Sequence, residues 1–170
     1  MLLKLFQLKP IQTTVHGFTL LELILVIVVI SIMAVEVLPI MSTSTTISLL
    51  AQAKQLASDI RYTQTLAMTK GQRYYLIKQS STTYQILSSA GTAVPLVMGN
   101  TTVTLNSRIT FGTLTNLPNS LIEFDGRGTP YVTSASPGTA LASTATIPLV
   151  SGGNTHTVSI TPQTGEVSVS

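Results

Sequence analysis

The chain contains no cysteine, only two histidines, and few charged side chains for its 170 residues. Without a thiol there can be no disulfide-closed C-terminal loop, no thiol nucleophile, no Cys-ligated metal and no lipidated-cysteine anchor. The redox compartment stays open, because a chain without thiols is compatible with any of them. Charged residues are 9% of the chain, against about 25% in an ordinary soluble domain. Solubility must then come from the abundant Ser and Thr, which suits a β-rich domain outside the cytoplasm. Other chemistry is equally sparse. The serines sit in no nucleophile-elbow sequence that would pair with His16 or His156. Asp59, Glu123, Asp125 and Glu166 lack the spacing of a metal loop. Neither a catalytic residue, a metal ligand nor a cofactor is expected, and the chain reads as a non-enzyme. Its length leaves room for an anchor helix and one small domain, and no linker or internal repeat divides it further.

What the chain does have is concentrated near its start. Gly17-Phe18-Thr19-Leu20-Leu21-Glu22 opens an apolar run that is interrupted only by Ser31 and Glu36 and reaches Met41. Residues 18–41, at 1.5 Å per residue, make a helix of roughly 36 Å, enough to span a bilayer. Glu22 sits at the head of that segment, where an unpaired carboxylate is costly and is by default a functional group whose partner must be found. A cut between Gly17 and Phe18 would create that partner, because the new α-amine of Phe18 is a cation able to meet Glu22 of its own chain or of a neighbour. Lys4 and Lys9 precede the run and no Lys or Arg follows until Lys54, so residues 1–17 face the cytoplasm and the bulk of the chain lies outside. The net charge of +3 becomes +1 once those two lysines leave, so the basic pI of the full chain is no argument for nucleic-acid binding. Two residues deeper in the run are also noteworthy. Pro39 removes a helical hydrogen bond and should bend or locally open the helix. Glu36 either reaches back to the interface or pairs with a cation on another subunit.

This opening closely resembles the processing site of type IV pilins and type II secretion pseudopilins. The resemblance rests on Gly17, Phe18, Thr19, Leu20, Glu22, the apolar run and Pro39. It implies that a prepilin peptidase cuts after Gly17 and methylates Phe18, and that Glu22 guides assembly. The partners it implies are other pilin or pseudopilin subunits, the prepilin peptidase and an inner-membrane assembly platform. The place it implies is the bacterial inner membrane, crossed once with the C-terminal domain in the periplasm, and then a periplasmic pseudopilus or a surface pilus. An ordinary membrane anchor on an unrelated domain would fit the length of the run but would leave Glu22 unexplained.

Beyond the run, Leu49, Ala53, Leu56, Ile60, Thr63 and Ala67 recur at three- and four-residue steps, with Lys54, Asp59, Arg61 and Gln64 largely off that face. The pattern predicts an amphipathic continuation of the helix over residues 42–71, stopped at Lys70-Gly71. The period then changes, and residues 72–170 read as a β-rich domain. Residues 74–79 and 83–89 form a hairpin, with short strands over 101–106, 108–111, 121–124 and 144–150, and a last hairpin through Val158, Ile160, Val167 and Val169. The fold class is α+β, a long N-terminal helix laid on an antiparallel sheet.

A finer resemblance lies in residues 60–72, 121–128 and 158–169, which are similar to H-type minor pseudopilins and FimT-like minor pilins. The acidic calcium loop of the major pseudopilin is missing. Some FimT-like members bind DNA through basic residues around a Gly-Arg motif, and a filament-borne DNA-binding subunit is the alternative function. Only Arg127, in Gly126-Arg127-Gly128, matches that motif here, and Glu123 and Asp125 stand beside it. Phosphate binding needs several cations together, so nucleic acid is an unfavoured partner and Arg127 reads first as a turn residue between two flexible glycines.

Overall fold

A computed structural model describes residues 17–96, 99–134 and 137–170, and of residues 34–45 the backbone alone. Residues 1–16 of the expected leader and the side chain of Glu36 lie outside the described residues, while Pro39 lies within helical backbone. The chain divides into two compact units, Met1–Ile40 and Met41–Ser170. Helix α1 (Leu20–Lys70) runs through both in the hydrogen-bonding pattern of its backbone.

In the first unit α1 begins where Thr19 caps it. The Glu22 amide donates to Thr19 Oγ1 at 3.2 Å, and the Leu23 amide to the Thr19 carbonyl at 3.1 Å. Thr-x-x-Glu is the spacing of a capping box, in which the hydroxyl satisfies one of the helix's unpaired N–H groups. Every side chain over residues 17–33 is exposed. Ser31, the polar residue in that stretch, donates its hydroxyl to the Ile27 carbonyl at 2.7 Å, so it needs no external partner. Among the described residues no helix is long and apolar enough to cross a membrane. The part of the apolar run whose side chains are described, residues 18–33, covers about 24 Å at helical rise.

In the second unit α1 buries the stripe its spacing predicts. Leu49, Ala53, Leu56, Ile60, Thr63 and Ala67 are fully buried, and Thr63 donates its hydroxyl to the Asp59 carbonyl. The helix stops as expected. Gly71 takes a φ of +63°, which lets the Gln72 amide turn back to the Ala67 carbonyl.

The strands are β1 (Tyr74–Lys78), β2 (Thr83–Ser88), β3 (Thr102–Thr104), β4 (Thr110–Phe111), β5 (Leu121–Phe124), β6 (Pro130–Tyr131), β7 (Ala145–Ser151), β8 (Asn154–Ile160) and β9 (Val167–Val169). They form two antiparallel sheets rather than the single sheet expected, a five-stranded one in the order β3-β2-β1-β5-β6 and a four-stranded one in the order β4-β7-β8-β9. One cluster of buried residues draws on α1 and on both sheets, so the two sheets share a core with the helix. Tyr84 of β2 meets Phe111 of β4 edge to face, with ring centroids 6.1 Å apart. Strand β6 is an addition to the reading from sequence. It is two residues long and begins with proline, which pattern alone assigns to a turn.

Candidate functional site

The residues singled out by sequence fall in separate places. Gly17, Phe18 and Glu22 stand at the start of α1. Phe18 is 76% exposed, and Glu22 lies in the first helical turn, where the helix dipole favours a negative charge. Nothing in the fold demands glycine at position 17. A Cβ built there would meet no atom within 4 Å, and its backbone is not in the left-handed region. Sequence reading assigned Thr19 only to the motif; its capping bond to Glu22 gives it a structural task that the Thr-x-x-Glu spacing announces.

Arg127 sits in the loop from β5 to β6, and there the turn reading holds. Asp125 Oδ1 accepts from the backbone amides of Arg127 and Thr129, both at 2.9 Å. A Cβ at Gly126 would come within 3.2 Å of the Gly71 backbone, while Gly128 has a φ of +83° and lies against Met68 and Gln64. The two glycines thus let the loop ride on the end of α1. The Arg127 side chain points outward, 82% exposed, with its guanidinium 3.4 Å from Asp125 Oδ2. Burial pushes the Asp125 carboxyl up, but the Thr129 and Arg127 amides and the Arg127 charge outweigh it and hold it below the usual carboxylate range.

Pairings that the sequence could not show lie inside the domain. Arg73, just before β1, donates from Nη1 to Glu123 Oε2 at 3.0 Å and from Nη2 to the Pro137 carbonyl at 2.8 Å. Its guanidinium lies 4.3 Å above the Tyr131 ring. Glu123 is fully buried, and its Oε1 has no hydrogen-bond partner among the described residues. Burial pushes this carboxyl above its usual range; Arg73 pulls it back without cancelling, and Asp125 adds to the push. Asp59, expected off the helix's buried face, is 6% exposed. It accepts from Tyr84 Oη at 2.6 Å and from Gln55 Nε2 at 3.1 Å. Burial, then the bond to Asp59 and its charge, push the Tyr84 phenol far up.

Two further side chains tie α1 to the sheets. Gln64 Nε2 donates to the carbonyls of Gly128 and Thr164, both at 2.9 Å, and Arg61 Nη2 donates to the Val167 carbonyl at 2.6 Å. The His156 ring lies 3.0 Å from the Ser170 carbonyl through Nδ1. No group of His, Asp or Glu among the described residues is arranged to hold a metal ion. Beside α1 and the β3 edge lies a cavity of about 490 Å³, with Gln52, Gln55, Asp59, Asn100 and Thr104 in its lining.

Residues 52–165 match the model of the family described as type II transport protein GspH. The fold is similar to the type IV minor pilin FimU of Pseudomonas aeruginosa, with 14% identity, a TM-score of 0.53, and coverage of 75% of this chain and 91% of that one. It is also similar to the minor pseudopilin EpsH from the type 2 secretion system of Vibrio cholerae, with 11% identity, a TM-score of 0.54, and coverage of 72% and 96%. At these identities the likeness is one of fold. No curated protein matches by sequence.

Proposed function

Because the chain belongs to the family of type II transport protein GspH, with the match running over residues 52–165, we propose that it is a minor pilin or pseudopilin, a structural subunit of an envelope filament. The observation that carries this reading is the wholly exposed apolar surface over residues 18–33, headed by Glu22. None of the described residues covers that surface, and so large an apolar patch calls for a partner.

In this proposal residues 18–41 rest first in the inner membrane, with the domain in the periplasm, and later pack among the helices of neighbouring subunits. Burial of apolar area contributes at roughly 25 cal/mol per Å² before the costs of ordering are deducted. Glu22 supplies register by pairing with the α-amine of Phe18 on a neighbour. A desolvated ion pair gives specificity more than raw stability. Gly17 supports cleavage, because the fold gives no reason of its own for a glycine there. The nucleic-acid reading rests on Arg127, whose guanidinium already faces Asp125.

Mass spectrometry of the mature N-terminus, with and without the prepilin peptidase, tests the proposal. A methylated Phe18 that depends on the peptidase is the expected result. An intact Met1, or a cut elsewhere, overturns the processing step and with it the assembly model.

A further inference from the structure

Asp59 is an unusual carboxylate for its position. It is 94% removed from solvent, yet both of its oxygens accept from neutral donors, Tyr84 Oη and Gln55 Nε2. No Lys, Arg or His nitrogen among the described residues lies within 4.0 Å of it, whereas Glu123 and Asp125 each have an arginine. Buried charges are ordinarily paired. Asp59 also lines the cavity of about 490 Å³, whose other walls offer the side-chain amides of Gln52, Gln55 and Asn100. A buried carboxylate without a cation and side-chain amides, each of which has an acceptor oxygen, line one opening and together suit a multiple donor.

The opposite wall is the edge strand β3. Its ladder to β2 pairs Val103 with Tyr84, and the Leu105 amide donates to the Thr82 carbonyl. The alternation of an antiparallel ladder therefore turns the peptide groups of Thr102 and Thr104 away from β2, toward the open edge. Thr102, Val103 and Thr104 of this edge line the cavity together with Asp59. Strand addition to such an edge takes its affinity from the main chain and its selectivity from the pocket that receives a side chain.

We propose that this cavity is a docking site for an extended segment of a neighbouring filament subunit, which pairs along β3 and inserts an arginine side chain toward Asp59. Arginine fits better than lysine because its planar guanidinium carries five donors and is the more weakly hydrated cation. The identity of the neighbour as a filament subunit rests on the function proposed above. The cation selectivity of the cavity does not.

Two experiments on the full chain separate these parts. The first, in detergent micelles, titrates argininamide and its neutral counterpart citrullinamide while amide shifts are followed by NMR. Argininamide should give saturable shifts at Asn100, Thr102, Thr104 and the side-chain amides of Gln52 and Gln55. Citrullinamide should give none, lysinamide at least tenfold weaker binding, and Asp59→Asn should abolish the response. Equal responses to argininamide and citrullinamide, or retained binding in Asp59→Asn, overturn the proposal, and equal binding of lysinamide overturns the choice of arginine. Should Asp59→Asn fail to fold, Thr104→Lys decides. It places a cation at the exposed rim, leaves the Asp59 hydrogen bonds in place, and should block argininamide; undiminished binding sinks the site.

The second experiment uses Thr104→Cys, which is the sole thiol of a cysteine-free chain, labelled with a photo-crosslinker in isolated, assembled filaments. An adduct mapped to an arginine-bearing segment of another filament subunit is expected. Normal peptidase-dependent processing of Phe18 without such an adduct overturns the docking proposal and leaves the proposed function standing.

Discussion

Two stretches of the same helix treat apolar side chains in opposite ways. Over residues 18–33 they point outward on every side of the helix; over residues 49–67 one stripe is fully buried and the other faces carry Lys54, Arg61 and Gln64. The second stretch is satisfied by its own sheets, and losses there are losses of folding. The first is covered by none of the described residues, and in the proposed filament losses there are losses of association. A helix that is apolar all round belongs in a membrane or between other helices, whereas a striped one belongs on a domain.

That contrast can be broken from either side. The largest effect should come from Glu22→Ala, with assembled filament abolished on a pelleting assay while the melting temperature of the domain is unchanged; a parallel fall in melting temperature would erase the distinction. Leu56→Ala should do the reverse and cost about 2–5 kcal/mol of stability in chemical denaturation, as cavities in packed cores do. Gly165→Ala should cost more than about 1 kcal/mol. The position has a φ of +67°, and an added Cβ would sit 2.8 Å from Phe124.

A subtler test concerns the two acids near Arg127. Glu123 has a raised carboxyl, so the folded state holds its proton more tightly than the unfolded chain. Its charged form lowers stability progressively as pH rises from the ordinary glutamate value through the folded one. Glu123→Gln should flatten that decline in denaturation measured across pH, and an unchanged slope would assign the decline to another group. Asp125 is shifted the other way, so its contribution is present above the ordinary aspartate value and fades as pH falls through the depressed one. The smallest effect belongs to Arg127→Ala, within about 0.5 kcal/mol, because an exposed ion pair contributes little.

Legibility in the sequence follows the range of the interactions. The helical stripe and its stop at Lys70-Gly71 come from local periodicity and are read correctly residue by residue. The hairpin of β1 and β2 and the edge strand β3 are read as elements, with ends one or two residues too long. The N-terminal motif is conspicuous in the sequence because it departs from what a plain anchor needs. The partition into two sheets is not legible, because it depends on β7 pairing back to β4 through Phe111 with Leu149 and Thr110 with Val150, 38 and 40 positions apart. Asp59 reads locally as a solvent-facing helix residue, and only its phenol partner, 25 positions away, shows that it is buried. Arg73 gave no signal at all, since its partner Glu123 is 50 positions distant.

The Gln64 side chain has a mechanical consequence. Its single amide nitrogen grips a loop of each sheet, through Gly128 and Thr164, and Arg61 one turn earlier holds β9. A pull along α1 is thus shared between the two sheets at one level of the helix, and these contacts are loaded in parallel. Neither sheet can peel from the helix without the other carrying its share of the tension.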